Sequence, residues 1–377
     1  MILETERLYL RKMSQADFKD LCKIMQDEET MYAYEGAFSD TEVQEWLDRQ
    51  ILRYQKWGFG LWAVILKETN EMIGQCGLTM QPWKDKEVLE IGYLFGRIHW
   101  HKGYATEAAR ACKQYAFETL NAEEVCSIIR DTNIASQNVA IRNGMIVTDS
   151  QTKHYRGVDM PHYRYVALNI KIQELKPDMA QGYVDFFDNR AFSDGNINKG
   201  CYCVWHHWTE KHEYERSQLP IEKRASCKRD YAIRLIEDNR LHGFAALHNN
   251  EIIGFANADL KDNYFRLSKD NNPDSWIDIH NDDRVLAIVC FTVAPSYRGR
   301  GIAKKLLSFA CEFAERNGYD YVESYPSDGE FNPNNCCGSK SMYEAQGFSI
   351  ISINNGIIAR KKIKKMPAGS YTKKKYF

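Results

Sequence analysis

Arg298, Gly299, Arg300 and Gly301 stand between two stretches of opposite periodicity, and their types suit an anion. Two glycines so placed let the backbone turn sharply and bring its N–H groups close to a ligand. After them, from Ile302 and Ala303 onward, apolar residues fall at Ala303, Leu306, Leu307, Ala310 and Phe313, the spacing of one helix face. A helix opening on these glycines aims unpaired N–H groups and a partial positive charge at the turn, so a pyrophosphate suits it. Before them, residues 285–293 form an apolar, β-branched run that reads as a buried strand ending at Val293. The turn has neither the Gly-Lys-Ser/Thr ending of a P-loop nor the Gly-x-Gly-x-x-Gly of a dinucleotide fingerprint. What remains is Arg-x-x-Gly-x-Ala, at Arg298, Gly301 and Ala303, after a strand broken by Pro295.

The same order of strand, glycine turn and helix occurs earlier. Residues 88–95 read as a strand and lead into Trp100, His101, Lys102, Gly103, Tyr104 and Ala105. The following helix carries apolar residues at Ala105, Ala108, Ala109, Cys112, Tyr115 and Ala116. Gly103 and Ala105 take the places of Gly301 and Ala303, and Trp100 stands where the later copy has Arg298. Residues 60–66 and 72–78 read as a hairpin, repeated at 241–247 and 251–258. Glycine turn and closing glycine, Gly103 to Gly144 and Gly301 to Gly347, lie 41 and 46 residues apart, with the surplus in the polar stretch 326–337. Internal duplication organises the chain. A closing strand at 163–168 meets an opening one at 170–175 without a Gly/Ser/Pro-rich linker. The expected domains are therefore 1–169 and 170–365, with a basic tail over 366–377.

The Arg-x-x-Gly-x-Ala turn resembles the acetyl-CoA loop of the GNAT acetyltransferase superfamily. In the first half, Thr5-Glu6-Arg7-Leu8, Glu90-Ile91-Gly92-Tyr93, the run Lys-Gly-Tyr-Ala-Thr-Glu-Ala over 102–108, and the Asn133-x-x-Ser136 helix ending at Gly144-Met145 carry a further likeness. Together they are similar to the branch containing the ribosomal-protein N-terminal alanine acetyltransferases. The resemblance implies an α/β (α+β) protein of two tandem GNAT folds, each a mixed, mostly antiparallel sheet flanked by helices. It implies an acyltransferase using acetyl-CoA as co-substrate, with no metal. It further implies that each turn binds the CoA pyrophosphate and that the preceding strand splays from its neighbour to admit the pantetheine arm. On this basis Val293, Arg298, Gly299, Arg300, Gly301, Ile302 and Ala303 bind cofactor in the second half. His101, Lys102, Gly103, Tyr104 and Ala105, with Asn133 and Ser136, do so in the first.

Acetyl transfer to an amine needs a neutral amine, a polarised carbonyl and a proton for the departing thiolate. By the resemblance Tyr343 matches the family tyrosine that stands near the CoA sulfur as general acid, and the matching residue in the first half is Ala140. Glu90 lies where family members place a base acting directly or through water. The second half has Ala287 or Ile288 thereabouts, and its base is unassigned, with Asp278, Asp282 and Asp283 nearby in sequence. The second half is the favoured catalyst. One alternative makes the first half a non-catalytic CoA-binding or dimerisation module. Another is a metal-stabilised binding protein built on Cys201, Cys203, Cys336 and Cys337, with His206 and His207 alongside, although no C-x-x-C or H-x-x-x-H spacing is present. The acceptor stays open. The first half suggests a protein N-terminal alanine, and the aromatic, His-rich stretch 192–223 suggests a small polyamine or aminoglycoside-like amine.

The 377 residues are 44% hydrophobic and 27% charged, and 50 Lys plus Arg against 51 Asp plus Glu leave a net charge of -1. Nothing global favours nucleic acid or an anionic membrane. Eleven cysteines, odd in number and scattered, do not form a disulfide framework. No apolar run is long enough to span a bilayer, and the N-terminus lacks a basic region followed by an apolar core, so the expectation is a cytoplasmic monomer or homodimer. The lysines at 361–365 and 373–375 read as a solvated end.

Overall fold

Strand, helix and strand succeed one another twice along the chain, and the computed structural model folds each succession about its own core. It describes residues 1–196, 198–224, 226–280, 282–326, 336–354 and 356–364. The basic tail over 366–377 and most of the polar stretch 326–337 lie outside the described residues. Contacts divide the chain between Asn169 and Ile170.

In the first unit the strands are β1 (Leu3–Glu4), β2 (Leu8–Arg11), β3 (Leu61–Leu66), β4 (Met72–Trp83), β5 (Lys86–Phe95), β6 (Glu124–Arg130), β7 (Ile146–Tyr155) and β8 (Val158–Leu168). The helices are α1 (Phe18–Met25), α2 (Asp40–Trp57), α3 (Tyr104–Glu118) and α4 (Ile134–Arg142). The sheet order is β1-β2-β3-β4-β5-β6-β8-β7. Only β5 and β6 run parallel, because α3 carries the chain back between them. Ala108, Ala109, Cys112 and Ala116 of α3 are buried against the sheet, the face expected from their spacing.

The second unit repeats this plan with β9 (Lys171–Glu174), β10 (Gly243–His248), β11 (Glu251–Leu260), β12 (Val285–Val293), β13 (Tyr321–Ser324), β14 (Ser349–Ile353) and β15 (Gly356–Lys362). Its helices are α5 (Ala180–Asp185), α6 (Glu210–Ser217), α7 (Ile221–Arg224), α8 (Cys227–Glu237), α9 (Ile302–Arg316) and α10 (Lys340–Glu344). Its sheet order is β14-β15-β13-β12-β11-β10-β9, again with one parallel pair, β12 and β13, bridged by α9. Ile302, Leu306, Leu307, Ala310 and Ala314 bury one stripe of α9. Both sheets are thus mixed, mostly antiparallel and flanked by helices.

Each parallel pair comes apart part-way. The β12–β13 ladder ends at Ile288 opposite Ser324, although β12 continues to Val293. Between β5 and β6 the register holds at Glu90 opposite Cys126, although both strands run on. A serine closes each fork. Ser324 Oγ donates to the Ile288 carbonyl at 2.8 Å, and Ser127 Oγ donates to the Ile91 carbonyl at 2.9 Å. These equivalent bonds align the two sheets residue by residue, so Glu90 corresponds to Ala287. One extra residue, Val289, bulges from β12 beyond that point.

Candidate active site

The glycine turns sit at the mouths of the forks. Gly301 is the N-cap of α9 with φ of 73° and Gly299 has φ of 77°, left-handed values that glycine adopts without a Cβ penalty. A Cβ built on either would meet open space. Gly301 has no side chain to cap the helix, and no acidic residue lies in the first turn of α9. The first N–H groups of the helix therefore face the turn without intrahelical acceptors. Arg300 adds a buried Nε with no partner among the described residues. Unpaired donors and an open cradle fit a phosphate group.

The first unit reaches the same shape by different residues. Gly103 caps α3 with φ of 82°, and His101, at the place of Gly299, holds φ of 60°. A non-glycine residue there costs about 1–2 kcal/mol, so the surroundings must fix it. Arg7 does part of this. Its Nη1 donates to the Lys102 carbonyl at 3.0 Å, its guanidinium stacks over Tyr104 at 4.6 Å, and it pairs with Glu107 at 2.6 Å. Thr5 Oγ1 and the Arg7 N–H also donate to Glu107, at 2.6 and 2.9 Å. The Thr5–Leu8 and 102–108 segments are thus one clamp on the loop.

Arg298 is engaged within the protein. Its Nε donates to the carbonyl of Val293, the last residue of β12, at 3.2 Å, and its Nη1 pairs with Asp194 at 2.5 Å. Trp100 Nε1 donates in the same way to the carbonyl of Phe95, the last residue of β5, at 2.8 Å. Arginine and tryptophan share one property at this position, an N–H on a flat group that ties the loop to the strand end. Arg298 is a brace, and Arg300 is the cation with donors to spare.

At the fork of the second unit Tyr343, on α10, is fully buried. Its hydroxyl lies 2.6 Å from Ser324 Oγ and 2.5 Å from the Cys337 carbonyl. Since Ser324 gives its own proton to Ile288, Tyr343 must donate to one of these oxygens. Burial pushes its pKa well above the usual tyrosine range, so the proton is present at neutral pH. The gap itself is bridged by protein. The Phe291 N–H of β12 donates to the Cys336 carbonyl at 2.5 Å, and Cys337 Sγ lies 3.4 Å from the Val289 carbonyl. Asp278 and Asp282 are exposed, and Asp283 accepts the His280 N–H at 2.8 Å.

In the first unit Ala140 is buried where the second has Tyr343. Glu90 lies at the fork of the first unit, opposite Cys126. The Ile128 N–H and Thr79 Oγ1 donate to its carboxylate at 3.2 and 3.3 Å. Burial pushes its pKa up, against the pull of Lys153, these two donors and Arg53. A raised carboxyl pKa makes a stronger base. Tyr34 and Arg53 also feel this charge, and no periodicity marked them, since they come from the short 3-10 helix Tyr32–Tyr34 and from α2. Asn133 Oδ1 caps α4 by accepting the Ser136 N–H at 3.0 Å, and Tyr93 of β5 donates to the Ser136 carbonyl at 2.8 Å. Asn133 and Ser136 thereby hold the far wall of the gap.

The aromatic stretch 192–223 divides. Tyr202 and Trp208 are buried in a core with Tyr183, Phe186 and Phe187, while Trp205 is half exposed. Cys203 Sγ and Cys290 Sγ lie 2.8 Å apart, and among the described residues no group of three or more His, Cys, Asp or Glu is disposed to hold a metal. Among the same residues no helix is long and apolar enough to cross a membrane.

Two forked sheets, each with a helix opening on a glycine at its mouth, repeat one architecture in the two units. The family described as Acetyltransferase (GNAT) domain matches residues 7–146, and that described as Acetyltransferase (GNAT) family matches residues 203–348. The chain is 37% identical over 144 residues to the uncharacterized protein YkkB of Bacillus subtilis (strain 168), spanning 38% of this chain and 84% of that one. It is 36% identical over 136 residues to the uncharacterized N-acetyltransferase p20 of Bacillus licheniformis, spanning 36% and 76%. A solved GNAT-family acetyltransferase from Bacillus anthracis aligns at 23% identity and a TM-score of 0.40, over 45% of this chain and 99% of that one. The chain belongs to the GNAT acetyltransferase family, as two domains in tandem, and is an acyltransferase.

Proposed function

We propose that the chain moves an acetyl group from acetyl-CoA to a primary amine, through domains at 1–169 and 170–365, and that the second performs the transfer. The observation that carries this reading is the chain of oxygens at the second fork, Tyr343 Oη to Ser324 Oγ to the Ile288 carbonyl. It holds the phenolic proton of Tyr343, on α10, two hydrogen bonds from Ile288 of β12, the strand that leads to the Gly301 turn. Acetyl-CoA supplies the activated acyl group. The α9 N-terminus and Arg300 hold its phosphates, the 289–293 segment lines the gap, and Tyr343 gives the proton that the thiolate needs on leaving. For cofactor to enter, Cys336 and Cys337 exchange their contacts with Phe291, Val289 and Tyr343.

A specific observation favours a second activity in the first unit. Glu90 combines a raised pKa with a polar surround, which suits deprotonation of an ammonium acceptor. The experiment is an amine screen by mass spectrometry and CoA release, using the whole chain, Gly103→Glu and Gly301→Glu. Acetylation that survives Gly103→Glu and fails with Gly301→Glu supports the second unit, and the reverse pattern assigns transfer to the first.

A further inference from the structure

Cys203, Cys290, Cys336 and Cys337 meet at the second fork, and acetyl transfer as described above uses none of their thiols. Cys290 stands on β12 two residues past Ile288, where the ladder to β13 ends. Its Sγ lies 2.8 Å from Cys203 Sγ, and both residues are buried, at 6% and 4% exposure. The Cys336 thiol hydrogen-bonds with that of Cys290, and Cys336 is exposed. The backbones are joined as well, since the Cys336 carbonyl accepts the Phe291 N–H at 2.5 Å. Through that bond the Cα atoms of Cys290 and Cys336 are held within roughly 7 Å, close to the span of about 4.4–6.8 Å that a disulfide bridges.

Nearness of two thiols is not enough, and the first unit shows the difference. Cys76 and Cys112 lie 3.6 Å apart there, but both are buried, and burial pushes the Cys112 thiol well above its ordinary pKa. A buried, protonated thiol is inert to an oxidant in solution. At the second fork one member of the group is exposed. Hydrogen bonds from the Cys290 and Cys337 thiols hold the pKa of Cys336 well below the usual thiol range, which favours the reactive thiolate. Cys337 Sγ is 4.0 Å from Cys336 Sγ, but consecutive Cα atoms are only about 3.80 Å apart, short of the span a disulfide needs. Cys203 is shielded from solvent behind Cys290. The first fork has no counterpart to this arrangement, because the pair Asn257–Cys290 aligns with Gly77–Gly92.

We propose that Cys336 and Cys290 are a peroxide-sensitive pair whose disulfide locks the second fork shut. The Cys336 thiolate attacks one oxygen of hydrogen peroxide, the O–O bond breaks, and hydroxide leaves a sulfenic acid on Cys336. Cys290 Sγ then attacks that sulfur, the S–O bond breaks, and the hydroxyl departs as water with the Cys290 proton. Two thiols are oxidised by two electrons, one peroxide is reduced to two waters, and a dithiol reverses the bond by exchange. In the closed arrangement Cys336 holds Phe291, Cys337 Sγ lies against the Val289 carbonyl, and the Cys337 carbonyl lies against Tyr343, so the bond fixes this segment across the gap. That the lock excludes CoA rests on the gap being the path of the pantetheine arm; the disulfide itself does not.

The test uses the full chain carrying Gly103→Glu, so that CoA titration reads the second unit. The protein is treated with hydrogen peroxide, alkylated and mapped by peptide mass spectrometry, and CoA is titrated before and after. A Cys290–Cys336 cross-link is expected, with apparent CoA affinity falling about 100-fold once about 99% of the chains are locked, and dithiothreitol should restore both. Cys336→Ser should keep its CoA affinity under peroxide. Cys290→Ala removes the second thiol, so oxidation should stop at the Cys336 sulfenic acid and be trapped as a dimedone adduct. A reversible cross-link in a chain whose CoA binding is absent or unaffected upholds the thiol pair and overturns the gap as the path of CoA. A bond between Cys203 and Cys290 with Cys336 left reduced, or a Cys336 oxidised no faster than Cys112, overturns the proposal.

Discussion

Lowering the pH from about 7 to about 5 should weaken the second unit through two half-buried imidazoles. His206 and His207 lie in the turn Trp205–His207 against the ring of Tyr264, at 5.9 and 5.0 Å between centroids. Burial holds both pKa values down at about 4, and His206 Nδ1 and His207 Nε2 have no partner among the described residues. A histidine in the unfolded chain titrates near 6.5. Between these values the unfolded chain takes up protons that the native imidazoles refuse. Stability is therefore complete above about pH 6.5 and is lost as the pH falls toward 4. At about 1.4 kcal/mol per pKa unit, each imidazole costs about 2 kcal/mol between pH 7 and pH 5, and the pair about 4. Against a typical total of about 5–15 kcal/mol this is a large share. The assay is urea unfolding at both pH values, for wild type and for His206→Gln with His207→Gln. Acidic groups elsewhere respond equally in both proteins, so the difference isolates the histidines. An identical loss on acidification in the two proteins would refute the reasoning.

Gly301→Glu should leave the fold intact, because its Cβ meets open space and only a strained φ costs about 1–2 kcal/mol. A carboxylate in the phosphate cradle should lower CoA affinity at that domain by on the order of 100-fold or more, and Gly103→Glu should do so at the other, both read by calorimetric stoichiometry. Arg7→Ala leaves Glu107 uncompensated in the first turn of α3, so CoA affinity of the first domain should fall about two- to fivefold and recover when Glu107→Gln is added. Each unit has its own buried core, so residues 1–169 and 170–377 expressed separately should each show cooperative unfolding by circular dichroism; a fragment without a transition speaks against independent domains.

The duplication, the two glycine turns and the buried strands were legible because they rest on local signals. Periods of two and of 3.6 residues, and glycines between them, mark β12, α9, β5 and α3 without reference to the rest of the chain. The roles of single side chains depend on register across the sheet, and those were not legible. An arginine beside a glycine turn reads as a phosphate ligand, and its ties to Val293 and Asp194 show only in the fold. Its tryptophan counterpart makes sense only once both N–H groups are seen on strand-end carbonyls. Likewise the residue aligned with Glu90 could be narrowed to Ala287 only through the fork bonds of Ser127 and Ser324, because the bulge at Val289 shifts the count by one. Lys261, Glu323 and Arg360 form a buried ion group in the second unit, at 2.8 and 2.5 Å, that meets from three strands or strand ends, and nothing in their local sequence sets them apart.

The most direct test of the account compares Tyr343→Phe with Glu90→Gln in steady-state acetyl transfer. Tyr343→Phe keeps the ring against Phe348 and removes only the hydroxyl, so that the hydrogen bond to Ser324 Oγ or the Cys337 carbonyl is lost at a cost of about 1–3 kcal/mol in stability. Acetyl-CoA binding should stay nearly unchanged while kcat falls about 10²–10⁴-fold, toward the low end because a thiolate leaves readily. Glu90→Gln should leave that activity unaltered. Full turnover in Tyr343→Phe together with its abolition in Glu90→Gln would contradict the assignment and place the transfer in the first unit.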